Sequence, residues 1–182
     1  MYYSTTYPSP VGVTTLASDG NCLVGLWIEG QKYYGGSIRE AMIKNENIPV
    51  FSKTKSWLDR YFAGKNPSAS QLPLTPIGSQ FRQLVWDVLR EIPYGKVITY
   101  GDISKTISAQ MNRNSMSAQA VGGAVGHNPI SIIIPCHRVV GSNGSLTGYA
   151  AGIAAKAKLL ELEGVEIIRQ KPAQIGVRLP GG

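Results

Sequence analysis

The sequence predicts an α+β protein, with a small N-terminal unit of strands and helices followed by a mainly helical C-terminal part. Three observations predict this class. Two short apolar runs meet at a turn before residue 29, amphipathic helical patterns begin after residue 78, and a proline-rich stretch separates the two regions. The chain has 182 residues, which is enough to bury a substantial core in one large domain or two small ones.

The boundary between the two units is predicted within "GKNPSASQLPLTPIGSQ", residues 64–80. This stretch holds three prolines and two glycines, a composition typical of a connection. We therefore expect an N-terminal structural domain over residues 1–75 and a C-terminal functional domain over residues 76–182.

The N-terminal unit contains three predicted features. "VGVTTLASDGNCLVGLWI" predicts two strands joined by a turn at "SDGN", with Cys22 in one strand as a core residue. A short helix is expected around "SIREAMIKN". "SKTKSWLDRYFAG" has helical spacing of its apolar residues and a stop at Gly64.

The C-terminal unit is predicted to be mainly helical. "GSQFRQLVWDVLREIP" predicts a helix capped by Ser79 and ended by Pro93, and "KVITYGDISKTI" a short strand that leads into a second helix. "SAQAVGGAVGHN" predicts a third helix made almost entirely of small side chains. "HRVVGSNGSLTGY" is expected to form a hairpin turning at "SNGS", and "AAGIAAKAKLLELEG" a last helix that stops at Gly164.

The second and third of these helices, separated by a polar break, are similar to a helix-turn-helix. A stripe of small residues has two explanations. It allows close approach to DNA, or it allows close packing of helices against Gly122, Gly123 and Ala124. The pattern leaves both open.

Charge and composition limit the classes of partner. The formal net charge is +7, and residues 78–182 hold 11 Lys/Arg against 6 Asp/Glu. A basic C-terminal part fits a polyanion such as nucleic acid, although an ordinary basic surface would have the same charge. No apolar run is long enough for a membrane span, and no secretory signal is evident.

Cysteine and histidine are scarce. Cys22 and Cys136 cannot form a disulfide framework, and His127 and His137 are the only histidines. The composition therefore favours a reducing, cytoplasmic location and provides no zinc-ligand pattern.

The stretch "SIIIPCHRVVG", residues 131–141, places Cys136 and His137 side by side after an apolar run. The thiolate is the nucleophilic form of cysteine, and a nearby imidazole or cation favours it. Neighbours on an extended strand point to opposite faces. Either the backbone turns at Pro135 and Cys136, or His137 acts through an intermediary such as water.

A nucleophilic cysteine also needs a third group that orients the imidazole. Glu161 and Glu163 on the last helix are the natural candidates. A buried structural cysteine remains the alternative, because cysteine is among the most buried residue types.

The run from Phe81 to Glu163 resembles the O6-alkylguanine-DNA alkyltransferases, also called methylated-DNA–protein-cysteine methyltransferases. The resemblance rests on "PCHRV", on the turn at Asn128 and Pro129, on "ITYGDI" and on the glycine-containing loop at Tyr149, in that family's order. The N-terminal part is similar chiefly through "WLDRYFAG". The resemblance implies a ribonuclease-H-like N-terminal domain and a winged helix-turn-helix-like C-terminal domain.

The resemblance also implies a suicide DNA repair protein. Such a protein flips O6-alkylguanine out of duplex DNA and transfers the alkyl group irreversibly to its own Cys136, with O4-alkylthymine as a further candidate substrate. His137 would be a base acting through a bound water, and Glu163 would orient it. Asn128 would fix the turn, and Tyr100 would donate to a ring nitrogen of guanine. No metal or cofactor is implied, and the protein is expected to act as a monomer.

The same resemblance implies a set of contacts to DNA and to the flipped base. The third helix would enter the minor groove, where small side chains allow close approach. The backbone of Cys136 and of Val139 would bind the exocyclic amine, and the loop at Tyr149 and Ala150 would cover the base. The full set of implied contact residues is Ser117, Gln119, Ala120, Gly123, Arg138, Val139, Tyr149 and Ala150.

The chain departs from the family pattern at two places. Gln119 stands where the family usually has an arginine that fills the gap left by the flipped base, and glutamine lacks its charge. Arg113, six residues upstream, is a candidate substitute. Ala150 and Ala151 stand where serine and glycine are common, which removes a hydroxyl near the alkyl group.

Two other functions compete with repair. One is a DNA-binding module that senses alkylated bases with an unreactive Cys136. The other is a cysteine-dependent hydrolase or transferase for small molecules. The Cys136, His137 and Glu163 set argues against the first, and the helix pair with its small-residue face argues against the second.

Overall fold

The computed structural model describes residues 1–170 and 174–181 and confirms the α+β class. Four strands and a helix form the N-terminal unit: β1 Tyr3–Ser9, β2 Gly12–Ser18, β3 Leu23–Ile28, β4 Ile43–Lys44 and α1 Pro49–Phe62. The C-terminal unit contains α2 Gln80–Arg90, β5 Ile98–Thr99, α3 Tyr100–Gln110, α4 Ala118–Gly126, β6 Val139–Val140, α5 Ile153–Leu162, β7 Ile167–Gln170 and β8 Gln174–Val177.

The N-terminal sheet has the strand order β3-β2-β1-β4, with antiparallel pairing except between β1 and β4. The predicted hairpin of β2 and β3 is confirmed, but β1 was not predicted. Pro8 obscures β1 in the sequence. It is tolerated because β4 pairs only with Tyr3 and Ser4, which leaves the edge of β1 beside Pro8 free of a second partner. Cys22 lies half-buried in the turn before β3, and not within a strand.

The short helix predicted around residues 37–45 is wrong. Gly35 and Gly36 both have positive φ, and the chain then extends so that β4 can pair with β1. The apolar side chains of Ile38 and Met42 pack against the cluster around Trp27. Their spacing suits a helix, but tertiary contacts and the glycine pair set the backbone.

Helix α1 is confirmed and begins earlier than its pattern indicated, with Pro49 in the first turn. Its buried face carries Trp57, Leu58 and Tyr61, and Gly64 follows its end with φ of 82°. The left-handed conformation there favours glycine. This helix therefore presents Tyr61 toward the C-terminal unit.

The helices of the C-terminal unit follow the predictions. Ser79 caps α2 by accepting a hydrogen bond from the Arg82 amide, and Thr99 and Asp102 form a capping box at the start of α3. Seven residues separate α3 from α4, and the two helices pack against each other. The capping box fixes Tyr100 at the first position of α3.

The predicted hairpin over residues 137–149 is wrong, although its turn is present. Strand β6 pairs in parallel with β5, so it joins the start of α3 instead of folding back on itself. After the turn, Ser145 forms an antiparallel bridge to Gly176 of β8. The turn thus connects the β5–β6 pair to the C-terminal β7–β8 hairpin.

The main hydrophobic core extends across both units. Leu58 of α1, Trp86 of α2, Ile103 of α3 and Val121 of α4 belong to one cluster that also includes Cys136. Within residues 1–170 and 174–181, no helix is both long and apolar enough to cross a membrane. The boundary between residues 75 and 76 stays a prediction.

Candidate active site

The isoleucine run before Cys136 is a series of buried turns and not a strand. Strand β3 holds its start, because the Leu26 amide donates to the Pro129 carbonyl and the Ser131 amide donates to the Leu26 carbonyl. Ile132 has φ of 72°, which is rare for a β-branched residue. Cys136 then opens a single 3₁₀ turn over Cys136–Arg138. Of the two predicted alternatives, the backbone turn is therefore present.

Asn128 spans the inside of this turn. Its Nδ2 donates to the Ile134 carbonyl at 2.7 Å, and its Oδ1 accepts from the Ile130 amide at 3.0 Å. Both bonds are buried, so the cost of leaving either backbone group unpaired holds the chain in this shape. Asn128 therefore determines where the Cys136 thiol lies.

Glu163 is the centre of a buried hydrogen-bond network. It follows α5 as the C-cap residue, and its side chain is fully buried. His137 Nε2 lies 2.7 Å from Glu163 Oε1, and the Tyr61 hydroxyl donates to the same oxygen at 2.8 Å. The Gly95 amide donates to Oε2 at 3.1 Å. Glu161, the other candidate, is exposed and pairs with Arg169.

Arg138 supplies the charge that balances Glu163. Its Nε lies 2.9 Å from Glu163 Oε2, its Nη2 lies 2.8 Å from Oε1, and its Nη1 donates to the Ile92 carbonyl. This arrangement corrects the expectation that Arg138 contacts substrate or DNA. The guanidinium is buried with its donors engaged, so it belongs to the support of Glu163.

The protonation states follow from this network. Burial raises the pKa of Glu163, but hydrogen bonds from His137 and Arg138 outweigh it and bring the pKa to about 2. An ionised carboxylate only accepts, so His137 Nε2 must carry the proton of the ring. Burial lowers the pKa of His137 and keeps the imidazole neutral. Its unprotonated Nδ1 is buried and has no hydrogen-bond partner among the described residues.

Cys136 is 7% exposed, and its environment is mixed. Burial raises the pKa of its thiol, whereas the Asn128 amide and the charge of Lys156 lower it. Within the described part of the chain, no hydrogen bond joins the His137 ring to the Cys136 sulfur. The imidazole thus follows Cys136 in the chain and is correctly protonated to act as a base, but it does not hydrogen-bond the sulfur.

Lys156 was missed by the sequence analysis. Its side chain is fully buried, and its Nζ donates to the carbonyls of Val139 and Thr147. It therefore joins the strand after Cys136 to the loop that follows, and it bonds one lone pair of the Val139 carbonyl, which leaves the other available for the predicted contact with guanine. Burial lowers its pKa to about 8. The apolar spacing around Lys156 on α5 could have indicated its burial.

A cleft of about 570 Å³ lies between α4 and the loop of residues 147–150. Tyr100, Gln119, Tyr149 and Ala150 line it. Burial and then the Cys136 thiolate raise the pKa of Tyr100 to about 12, and the same two causes raise the pKa of Tyr149. The charge of Cys136 therefore acts on both tyrosines that line the cleft. The Tyr100 hydroxyl donates to the Thr147 carbonyl at 3.1 Å.

Helix α4 presents its small residues to solvent. Ser117 caps it by accepting from the Ala120 amide, and Gln119 and Ala120 are exposed. A Cβ added at Gly122 or Gly123 would meet no atom within 4 Å. Internal packing therefore does not require glycine at these two positions, which favours close approach from outside over the packing explanation.

Tyr61 is the second residue that the sequence analysis missed. Its hydroxyl bonds Glu163, and its ring stacks on Trp57 at 5.5 Å and meets Tyr94 edge to face. Burial and then the Glu163 charge raise its pKa. In the sequence it is one more aromatic residue on the apolar face of α1, and no local signal separates it from Trp57.

Tyr61→Phe is expected to lower the free energy of unfolding by about 2 kcal/mol, because it removes a buried hydrogen bond to a charged group. Tyr7→Phe is the matched control, since that hydroxyl bonds Asp59 at 2.7 Å on the exposed side of α1. Its cost should stay below about 1 kcal/mol. Urea unfolding measures both, and equal losses would contradict a special contribution from Tyr61.

The fold and the site define an α+β protein that joins a helix-turn-helix to a buried cysteine beside a Glu–His–Arg network. Two family models match the chain: 6-O-methylguanine DNA methyltransferase, ribonuclease-like domain, over residues 1–76, and 6-O-methylguanine DNA methyltransferase, DNA binding domain, over residues 80–165. Both matched segments contain site residues, Tyr61 in the first and Cys136 in the second.

Curated relatives and solved structures agree with these matches. Methylated-DNA–protein-cysteine methyltransferase of Haemophilus influenzae is 43% identical over 91% of this chain and 88% of its own, and that of Methanosarcina acetivorans is 42% identical over 90% and 99%. The structure of Mycobacterium tuberculosis O6-methylguanine methyltransferase superposes with a TM-score of 0.75 at 41% identity, covering 90% of this chain and 93% of that one. The structure of M. tuberculosis OGT in complex with DNA also superposes with a TM-score of 0.75 at 41% identity, and the match covers 89% of this chain and 91% of that one. The chain belongs to the 6-O-methylguanine DNA methyltransferase family.

Proposed function

We propose that this protein repairs duplex DNA by transferring the alkyl group from O6 of guanine irreversibly to the sulfur of Cys136. The observation that carries the proposal is a buried Cys136 whose charge acts on the cleft-lining Tyr100 and Tyr149. A neutral His137 follows it in the chain, and an ionised Glu163 accepts the hydrogen bond of that histidine. This is the order of nucleophile, base and orienting group that thiolate chemistry needs.

In the proposed reaction, the Cys136 sulfur attacks the alkyl carbon. A sulfur–carbon bond forms as the carbon–O6 bond breaks, and the bonding electron pair stays with the guanine, which leaves as an anion and takes up a proton at N1 from solvent. The thiol proton passes to His137 Nδ1, with a water as the carrier, because no hydrogen bond joins that nitrogen to the sulfur. The thioether product is stable, so the protein acts once.

Tyr100 is proposed to donate a hydrogen bond to N3 of guanine as the alkyl group leaves. Its pKa of about 12 keeps the hydroxyl protonated at neutral pH, as a donor requires. The hydroxyl now bonds the Thr147 carbonyl, so a bound base would replace that acceptor. Tyr149 and Ala150 would cover the base from the loop.

Binding to DNA is proposed to use the exposed face of α4 in the minor groove. Ser117, Gln119, Ala120 and Gly123 lie on or at the start of this helix and are exposed. Their small size allows the helix backbone to approach the sugar–phosphate chains, and the positive charge of the C-terminal region favours the polyanion. We further propose that the protein acts as a monomer on cytoplasmic DNA that carries O6-alkylguanine.

The experiment that tests this function counts transferred groups. Duplex oligonucleotide containing O6-methylguanine is mixed in excess with the protein, and repaired guanine is followed over time. The amount repaired is expected to stop at one equivalent of protein. Continued turnover, or no repair with bound DNA, would contradict the proposal and favour a recycling enzyme or a sensor.

Lys156→Met is expected to slow transfer at pH 7 and to displace the pH–rate profile upward. The Lys156 charge lowers the pKa of the Cys136 thiol, so its removal raises that pKa and reduces the thiolate fraction at neutral pH. Lys158→Met, two residues along α5 on the exposed side, is the control, and it should change neither the rate at pH 7 nor the pH–rate profile. Thiol alkylation by iodoacetamide across pH 6–10 provides the measurement. An unchanged Lys156→Met profile would show that the charge is not felt at the sulfur.

Gln119→Arg is expected to bind duplex DNA more tightly, by roughly tenfold at low salt, because it adds one cation on the exposed face of α4. The affinity gain should shrink as salt rises. Fluorescence anisotropy at two salt concentrations measures it, with Gln119→Leu as the uncharged control. Equal affinity of Gln119→Arg and wild type would mean that another residue already fills this role.

A further inference from the structure

We propose that Tyr33, supported by His127, forms the outer wall of the alkylguanine pocket and restricts the size of the O6 substituent. The inference rests on the proposed function and extends it, because it makes a residue of the N-terminal unit a determinant of substrate selection. Tyr33 lies in the segment between β3 and β4, far from Cys136 in the sequence.

The cleft between α4 and the loop of residues 147–150 is completed by the N-terminal unit. Lys32 and Tyr33 line it together with Gln119, Tyr100 and Ala150. Tyr33 is 54% exposed, among the most exposed large apolar side chains in the described chain. Its ring therefore borders the open cleft and is not part of the core.

The Tyr33 ring is held on one face by His127, and its backbone conformation is constrained. Its backbone has φ of 56°, an uncommon value for a bulky residue. The ring stacks on the His127 imidazole, with 3.8 Å between centroids and 25° between planes. His127 Nδ1 lies 2.7 Å from the Gly123 carbonyl, which fixes the imidazole at the end of α4. A ring fixed in this way resists displacement by a ligand.

The segment that carries Tyr33 is also attached to the active-site loop. The Lys32 amide donates to the Ala150 carbonyl at 3.0 Å. Gln31 anchors the segment from behind, because its Oε1 accepts from the Ile28 amide at 2.7 Å. The Ala150 end of the loop thus meets Tyr33, whereas the other end, at Thr147, meets Tyr100.

The chemistry of guanine then determines which end of the cleft receives the substituent. N3 and C6 occupy opposite corners of the six-membered ring. With N3 at Tyr100, the O6 substituent lies on the far side of the ring from Tyr100, and we assign it to the Ala150 end of the cleft, which Tyr33 also lines. A methyl group is small enough to fit there. A benzyl group would have to displace the stacked Tyr33 ring.

The test compares rate constants for transfer from O6-methylguanine and O6-benzylguanine in the same duplex oligonucleotide. Tyr33→Asn removes the ring and keeps a side chain that tolerates positive φ. It is expected to raise the benzyl-to-methyl ratio roughly tenfold. Tyr33→Phe keeps the ring, and Tyr34→Ala alters a neighbour that instead packs on Trp27 and bonds Thr15, so neither should change the ratio.

Each other outcome overturns the inference. An unchanged ratio means that Tyr33 does not limit the substituent, and a lower ratio means that its ring supports the benzyl group. An equal loss for both substrates with weaker DNA binding means that the pair contacts DNA. Tyr33→Gly replaces Tyr33→Asn if that variant fails to fold. Failure of the wild type to transfer methyl would overturn the proposed function instead.

Discussion

Cys136→Ala is expected to abolish transfer of the methyl group from O6-methylguanine while DNA binding stays intact. The sulfur is the proposed nucleophile, and no other group at the cleft can form the stable thioether. The alanine removes only one buried atom from the edge of the core, so the fold should tolerate it at a cost of about 1 kcal/mol. Transfer of radiolabelled methyl from DNA to protein measures the effect.

The matched control for that experiment is Cys22→Ala. Cys22 is the only other cysteine of the chain, and it lies half-buried in the turn before β3, in the other unit of the fold. The Cys22→Ala variant should transfer the methyl group as fully as the wild type. Methyl transfer that persists in Cys136→Ala, or that is lost in Cys22→Ala, would contradict the assignment of Cys136 as the nucleophile.

Glu163→Gln is expected to slow transfer by roughly 100-fold, the scale of one general-base contribution. The carboxylate fixes the proton on His137 Nε2 and leaves Nδ1 free to accept. A neutral amide can present either its oxygen or its NH₂ group to the ring, and it leaves the buried Arg138 charge without its partner. DNA affinity should change little, because Glu163 lies behind the site.

The chain provides a control on the same segment. Glu161 is exposed and pairs only with Arg169, so Glu161→Gln should transfer at the wild-type rate. Single-turnover kinetics on duplex DNA, at a temperature where circular dichroism confirms that both variants are folded, separates catalysis from stability. If Glu163→Gln retained the wild-type rate, the proposed relay through His137 would be wrong.

The parts of the fold that the sequence predicted are those fixed by local chemistry. Ser79 as a cap and Gly64 and Gly164 as stops follow from backbone preferences that each segment carries alone. The error over residues 37–45 arose where a distant strand set the conformation. β1 was missed because Pro8 breaks the strand pattern, and only the position of β4 explains why proline is tolerated there.

The residues of the candidate site also separate into those that local sequence indicates and those that depend on distant contacts. Cys136 and His137 are neighbours in sequence, and the family resemblance pointed to Glu163. Tyr61 could not be found, because its contact with Glu163 spans 102 residues and its local pattern is that of a core aromatic. Arg138 was expected among the contacts to DNA and base through the family resemblance, and only the packed structure places its guanidinium on Glu163.

The most direct measurement of the central claim is mass spectrometry of the protein after reaction with duplex DNA containing O6-methylguanine. We predict that the proteolytic peptide containing Cys136 gains the mass of one methyl group, that fragmentation places it on the sulfur, and that the Cys22 peptide is unchanged. An unmodified Cys136 peptide alongside repaired DNA would contradict the account.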